Sequence, residues 1–239
     1  MIKQIITNIN ARGLFRFILF SVSHILRKYA LQLKSSYYTH RYVDGPGRII
    51  FKQFGIKFII KKDYTGELRL KGNLIIESQN NIPGYISMVI APSGIIQILG
   101  DFVLGENIKI SVAQNAILSI GGKKNESASG ITSNSIIACK KEITIGTDLI
   151  CSWNVFVTDC NWHTIYKRGL KKDDTNPVNI GNHTWIGSNT LIGPGTVLGE
   201  NCIIGAFTKL SNTTYPSNST ICGIVPKIVS SEMIWSRDI

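Results

Sequence analysis

From Ile180 to Leu210 the chain divides without a gap into hexads, IGNHTW, IGSNTL, IGPGTV, LGENCI and IGAFTK. An aliphatic residue stands at 180, 186, 192, 198, 204 and 210, and a glycine follows at 181, 187, 193, 199 and 205. A small residue (Thr184, Thr190, Thr196, Cys202, Thr208) lies four places after each aliphatic. With 22 glycines in 239 residues, five in one phase arise by chance with odds on the order of one in 100,000. A period of six shared by an apolar, a glycine and a small position predicts a parallel β-helix, each hexad forming one short strand and one corner. The aliphatic should point inward and stack on its equivalents, the small residue should fill the space near the corner, and glycine is expected to supply the freedom to turn.

The rest of the chain can be read outward from that block. Residues 1–40 form an amphipathic helical segment, with Ile2, Ile5, Leu14, Phe17, Val22, Ile25, Leu26, Tyr29 and Leu33 near one face and Lys3, Arg12, Arg16, Arg27, Lys28 and Lys34 punctuating it. Residues 1–35 suit an interfacial helix lying on an anionic membrane, or a helix that packs on the repeat domain or on a sister subunit. The β-helix spans 41–229, its early coils degenerate: Leu68–Leu70, Leu74–Ile76, Ile95–Ile98, Ile108–Ile110, Ile117–Ile120 and Ile136–Ile137 recur between glycines and polar turns. The hexad phase slips at 123–130 and near Glu142, where loops are expected. The segment 159–177, TDCNWHTIYKRGLKKDDTNP with its preceding threonine, breaks the period and shows no strand pattern, so a functional loop is expected there. Pro216 sits where an aliphatic is due, and the tail 230–239 should cover the exposed end of the solenoid.

Composition narrows the partners. Lys and Arg exceed Asp and Glu to give a net charge of +11, which suits anions such as phosphorylated cofactors, acidic glycans or anionic lipid. Neither basic–aromatic alternation nor a recognition-helix pattern is present, so nucleic acid is not an expected partner. Five cysteines without CxxC spacing read as reduced thiols of a cytoplasmic protein. No cleavable signal pattern is evident at the N-terminus, and its apolar run is too short and too polar to span a bilayer.

The loop Asp159-Cys-Asn-Trp-His163-Thr-Ile-Tyr166, taken with Gly181…Trp185-Ile-Gly187 and Ile204-Gly-Ala206, resembles the hexapeptide-repeat acyltransferases. It is most similar to their surface-polysaccharide O-acetyltransferase type. The likeness is good over about 145–227 and faint before it. It implies a mainly β fold, a left-handed parallel β-helix with an N-terminal helical segment. It further implies a homotrimer with sites in the clefts between subunits, acetyl-CoA as donor, a glycan or sugar hydroxyl as acceptor, and no metal.

Carried onto matching positions, the resemblance makes His163 the general base on the acceptor hydroxyl, a task suited to an imidazole that titrates near neutral pH. Asp159 or Asn161 would orient that ring, or serve as a turn residue. Trp162 and Tyr166 are candidates for a sugar platform or for plugs of the subunit cleft, and Arg168 suits an anionic acceptor or a solvated charge run. Coenzyme A would run along Trp185, Ser188, Gly205 and Ala206, with Lys209 and Lys227 toward phosphate. Ser211-Asn212-Thr213-Thr214 stands in place of the family's Thr-Lys-Asp, so Lys209 takes the part of the missing lysine. His183 is expected to be inert. Cys160 could be read as a nucleophile, but direct transfer needs none. N-acetylation of an amino sugar or its nucleotide-linked form is the alternative activity, and a non-enzymatic β-helix scaffold the alternative class. A carbonic anhydrase of this shape would need three metal-binding histidines, and the repeat region holds only His163 and His183.

Overall fold

The structure, a computed structural model, describes residues 11–232 except 127, 164, 168, 169 and 173. The expectations for residues 1–10, for Arg168 and for the end of the tail lie outside the described residues.

Helix α1 (Ala11–Tyr42) has no proline and ends just before Asp44-Gly45-Pro46, which cannot continue it. It therefore runs past the expected boundary at residue 40. Its C-terminal half seals the open edge of the first coil. Ser35 Oγ accepts the N–H of Phe51 at 3.0 Å and Thr39 Oγ1 that of Ile49 at 3.0 Å, satisfying donors that an edge strand would otherwise expose. Tyr38 adds its hydroxyl to the Phe58 carbonyl at 2.7 Å, and its ring sits 5.2 Å from Phe51 and 5.4 Å from Phe58. Packing on the repeat domain is thus realised for this half of the helix.

After the helix the chain winds as a three-sided prism, its strands pairing in parallel from coil to coil. Among the described residues, the first face has nine strands, from Ile49–Phe51 to Trp185–Ile186, Ile203–Ile204 and Thr220–Cys222, closed by Lys227–Ser230. The second face has seven, from Ile56–Lys62 through Phe156–Thr158 to Leu191–Ile192 and Lys209–Leu210. The third also has seven, from Glu67–Leu70 through Val178–Ile180 and Val197–Leu198 to Thr214–Tyr215. Ile186 stacks on Ile204 and Ile221, and Ile192 on Leu210. All five are buried. Burial of such side chains stabilises by roughly 1.5–3 kcal/mol each, and their continuous stack is the core. The small position behaves as expected: Thr184 and Thr196 are buried, each hydroxyl donating to the carbonyl three residues earlier at 2.8 Å.

The turning residue differs from expectation. Positive φ falls on the fourth residue of each hexad, at His183 (53°), Asn189 (58°), Gly195 (70°), Asn201 (57°) and Phe207 (60°). The glycines in second position are needed for space instead. A Cβ on Gly181 would lie 2.2 Å from the Gly199 carbonyl oxygen, and one on Gly199 would lie 2.4 Å from the Ser217 nitrogen. Coils thus approach closest at these glycines and turn at the asparagines, whose short amide side chain tolerates the left-handed region. Those amides also bond from coil to coil, as Asn154 does to Asn189 at 3.2 Å and Asn201 to Asn218 at 2.8 Å.

Three further expectations are revised. Tyr215, not Pro216, fills the inward place below Leu198, because the last coil is one residue short of three hexads. The phase slip near Glu142 is a tight turn rather than a loop, whereas residues 123–126 do form one, held by Asp148, whose carboxylate accepts the N–H of Lys124 at 2.6 Å and of Asn125 at 3.0 Å. The solenoid's end is covered by Lys227–Ser230, which folds back antiparallel on Thr220–Cys222 ahead of the tail.

Candidate active site

The interruption at 159–177 leaves the second face after Phe156–Thr158 and rejoins the third at Val178–Ile180. It is an arm rather than an irregular loop. At its base the Asp159 carbonyl accepts the Asn176 N–H and the Asp174 carbonyl accepts the Asn161 N–H, both at 2.8 Å. Further out, Ile165–Lys167 pairs antiparallel with Leu170–Lys172. The sequence hid this hairpin because each strand is only three residues long and neither alternates apolar with polar side chains cleanly.

Between the two ladders, Asn161-Trp162-His163 makes a three-residue turn. The His163 N–H donates to the Asn161 carbonyl at 2.8 Å, and Trp162 takes φ of 64°. A bulky residue in the left-handed region is strained, and such strain persists only where surroundings impose it. The turn leaves Asn161, Trp162 and His163 exposed, with Tyr166 exposed beyond them. Among the described residues no hydrogen bond reaches the His163 imidazole, so the ring is carried by the turn alone.

Asp159 does not orient it. This carboxylate is fully buried and accepts the N–H groups of Lys140, Lys141 and Glu142, each at 2.7 Å. Its physical role is to cap the turn between the second and third faces and to fix the base of the arm, which Lys140 reinforces through Asp174 at 2.5 Å. Asn161 holds the neighbouring turn through its main chain. Cys160 is 2% exposed and lies beside the Thr158 hydroxyl, which removes it from any substrate. Burial, with the Asp159 charge adding to it, pushes the Cys139 thiol up to about 12.

The residues expected for coenzyme A gather elsewhere. Trp185 stands on the outer side of the first face, and Ser188 and Ala206 follow in two stacked turns between the first and second faces. Those turns touch: the Phe207 N–H donates to the Ser188 carbonyl at 2.9 Å, and a Cβ on Gly187 would meet the Ala206 nitrogen at 2.7 Å. Gly205 is equally constrained, since a Cβ there would lie 2.4 Å from Cys222 Sγ. Lys227 pairs with Cys222 and therefore lies beside the same corner, and Lys209 is exposed on the second face next to it. These small residues leave main chain accessible along a corner, the setting a thin pantetheine chain needs.

Sequence reasoning missed two members of this corner. Trp153 occupies the place above Ser188, its carbonyl accepting the Asn189 N–H at 3.1 Å. Phe207 occupies the left-handed place that Asn107, Asn134, Asn154 and Asn189 hold in earlier coils. Both aromatics are exposed. The detectable signal was the break in the asparagine ladder, where a phenylalanine adopts φ of 60° at an energetic cost.

His183 is not isolated: Nδ1 lies 2.9 Å from Asn201 Oδ1 and Nε2 3.1 Å from Glu126 Oε1. It ties the loop of residues 123–126 to the corner between the third and first faces. The structure therefore groups Trp185, Ser188, Gly205, Ala206, Lys209 and Lys227, and separately Asp159, Asn161, Trp162, His163 and Tyr166. The second face stands between the two groups within one chain.

Comparison with known proteins supports the fold. Residues 177–212 match the bacterial transferase hexapeptide model of six repeats. No curated protein matches the sequence. The solved structure of the polySia-specific acetyltransferase NeuO is 19% identical, covers 82% of this chain and 88% of its own, and superposes with a TM-score of 0.50. That of the polysialic acid O-acetyltransferase OatWY is 24% identical over 77% of this chain and 91% of its own, with a TM-score of 0.47. By its strand order and its likeness in fold to NeuO, the chain is a left-handed parallel β-helix, and its residues 177–212 are similar to the bacterial transferase hexapeptide repeats.

Proposed function

We propose that the protein transfers an acetyl group from acetyl-CoA to a sugar hydroxyl of a surface glycan, in clefts between the subunits of a homotrimer. The observation that carries this reading is the separation of the two groups. An exposed imidazole on a projecting arm and a small-residue corner flanked by Trp185 and Phe207 lie on opposite edges of the second face, so an arm of one copy meeting the corner of another completes a site that one chain lacks. In that cleft His163 takes the hydroxyl proton as the oxygen attacks the thioester carbonyl. The tetrahedral intermediate then expels coenzyme A, and the imidazolium returns the proton to the departing sulfur. Trp162 and Tyr166 offer apolar faces for a sugar ring. NeuO is a polySia-specific acetyltransferase; the cationic surface here suits an acidic glycan as well.

The test is turnover of acetyl-CoA with oligosaccharide acceptors by His163→Ala. The variant should lose about 100-fold in kcat while keeping its melting temperature, because the side chain is exposed. Removal of the product's label by mild alkali identifies an ester, and resistance identifies the amide of the alternative reaction. Unchanged turnover would make the arm a structural device.

A further inference from the structure

Helix α1 has two halves with different environments. Leu31, Tyr38 and Tyr42 pack against the core, and Lys34, Ser35 and Thr39 bond the first coil. From residue 22 to residue 30 every position is exposed, although His24, Arg27 and Lys28 line an open cavity with Lys52, Gln53 and Phe54 of the first coil. At 100° per residue, Leu19, Val22, Ile25, Leu26, Tyr29 and Leu33 share a stripe on the side of the helix opposite the docked residues. That stripe is uncovered: Leu26 is 63% exposed, Tyr29 62% and Leu33 72%.

The helix as a whole carries one sign of charge. The helix contains Arg12, Arg16, Arg27, Lys28, Lys34 and Arg41 and not a single Asp or Glu. We propose that the N-terminal half of α1 lies on an anionic lipid surface, its apolar stripe among the acyl chains, Arg16 beside the stripe toward the phosphates, and Arg27 and Lys28 adding attraction from the far side of the helix. An exposed apolar arc on a helix whose charges are all basic is the pattern of an interfacial helix, and each basic residue near an anionic leaflet adds attraction. Among the described residues no helix is long and apolar enough to cross a membrane, which fits lying on the surface rather than spanning. The competing occupant is a second copy, since Leu19, Val22, Leu26, Tyr29 and Leu33 alternate at three and four residues as in a coiled coil. Charge disfavours it: that register puts Arg16 at the edge of the seam, and the helix has no acidic residue to pair with it. The inference goes beyond acetyl transfer and does not depend on it.

The experiment is flotation of the full-length protein with vesicles of phosphatidylcholine alone or with added phosphatidylglycerol, at low and high salt. Recovery in the floated fraction should rise at least about tenfold with the anionic lipid and fall with salt. Ile25→Gln/Leu26→Gln/Leu33→Gln should abolish flotation and Arg16→Gln/Arg27→Gln/Lys28→Gln should weaken it at least about tenfold, while melting temperature and acetylation of a soluble acceptor stay unchanged. Absence of flotation, or equal flotation with neutral vesicles, overturns the proposal. So does a loss of oligomer mass in the triple variant, which would assign the stripe to contacts between copies.

Discussion

One carboxylate oxygen of Asp159 lies 2.7 Å from the main-chain nitrogen of Lys141, and that oxygen also accepts the N–H of Glu142. The residue that a motif comparison would assign to the imidazole is thus a cap within the solenoid. Asp159→Ala leaves three part-buried N–H groups without their acceptor and empties a buried site, and stability should fall by about 2–4 kcal/mol. Thermal unfolding measures it. A variant that keeps its melting temperature and loses only turnover would return Asp159 to the catalytic machinery.

If the arm and the corner of different copies form each site, two inactive variants should rescue one another. His163→Ala removes the base, and Ala206→Trp fills the exposed donor corner without entering the core. Co-refolded at equal amounts, they should regain about a quarter of the parent's activity, since each random interface has one intact arm and one intact corner that often. Separately refolded and then mixed, they should stay inactive. Failure of the co-refolded sample would show that one chain holds a whole site.

The two kinds of corner residue should respond oppositely to substitution. Gly181→Ala places a Cβ against the Gly199 carbonyl and should cost about 1–3 kcal/mol. Asn189→Gly, at φ of 58°, should be nearly neutral, whereas Asn189→Ala should cost about 1–2 kcal/mol. Urea denaturation separates the three.

The buried thiols predict an alkaline limit. Burial raises the Cys151 thiol from 9.0 to about 12, and Cys139 is raised similarly. In the unfolded chain both ionise near 9.0, so the folded state holds more protons between that pH and about 12. Stability contributed by the neutral thiols is full below the ordinary thiol pKa and is lost as pH rises through this window. Cys151→Ala should flatten the decline in melting temperature above pH 9.0. Folded protein at pH 8 should label at Cys222, which is half-buried, before Cys139 or Cys151.

The coil was legible because Ile186, Ile204 and their equivalents repeat in one phase, and inward stacking demands that phase. Early coils were blurred because their corners are longer, so the strands Glu67–Leu70 and Ile95–Ile98 could be read from local apolar runs but not from a period. The roles of Gly181 and Asn189 were exchanged, since a sequence shows that a residue is small or turn-prone without showing whether space or φ is limiting. The site was legible in halves: His163 and Ala206 could be named, but the separation of their corners depends on which face each hexad lands on. Phe207 and Trp153 were invisible as site residues because their significance comes from stacking across coils.

The last strand, Lys227–Ser230, runs against Ile221 and Cys222 instead of alongside them. A reversed rung breaks the parallel register at that end, so the first face offers no ready template for a further forward turn and tail-to-head stacking into a fibre is disfavoured.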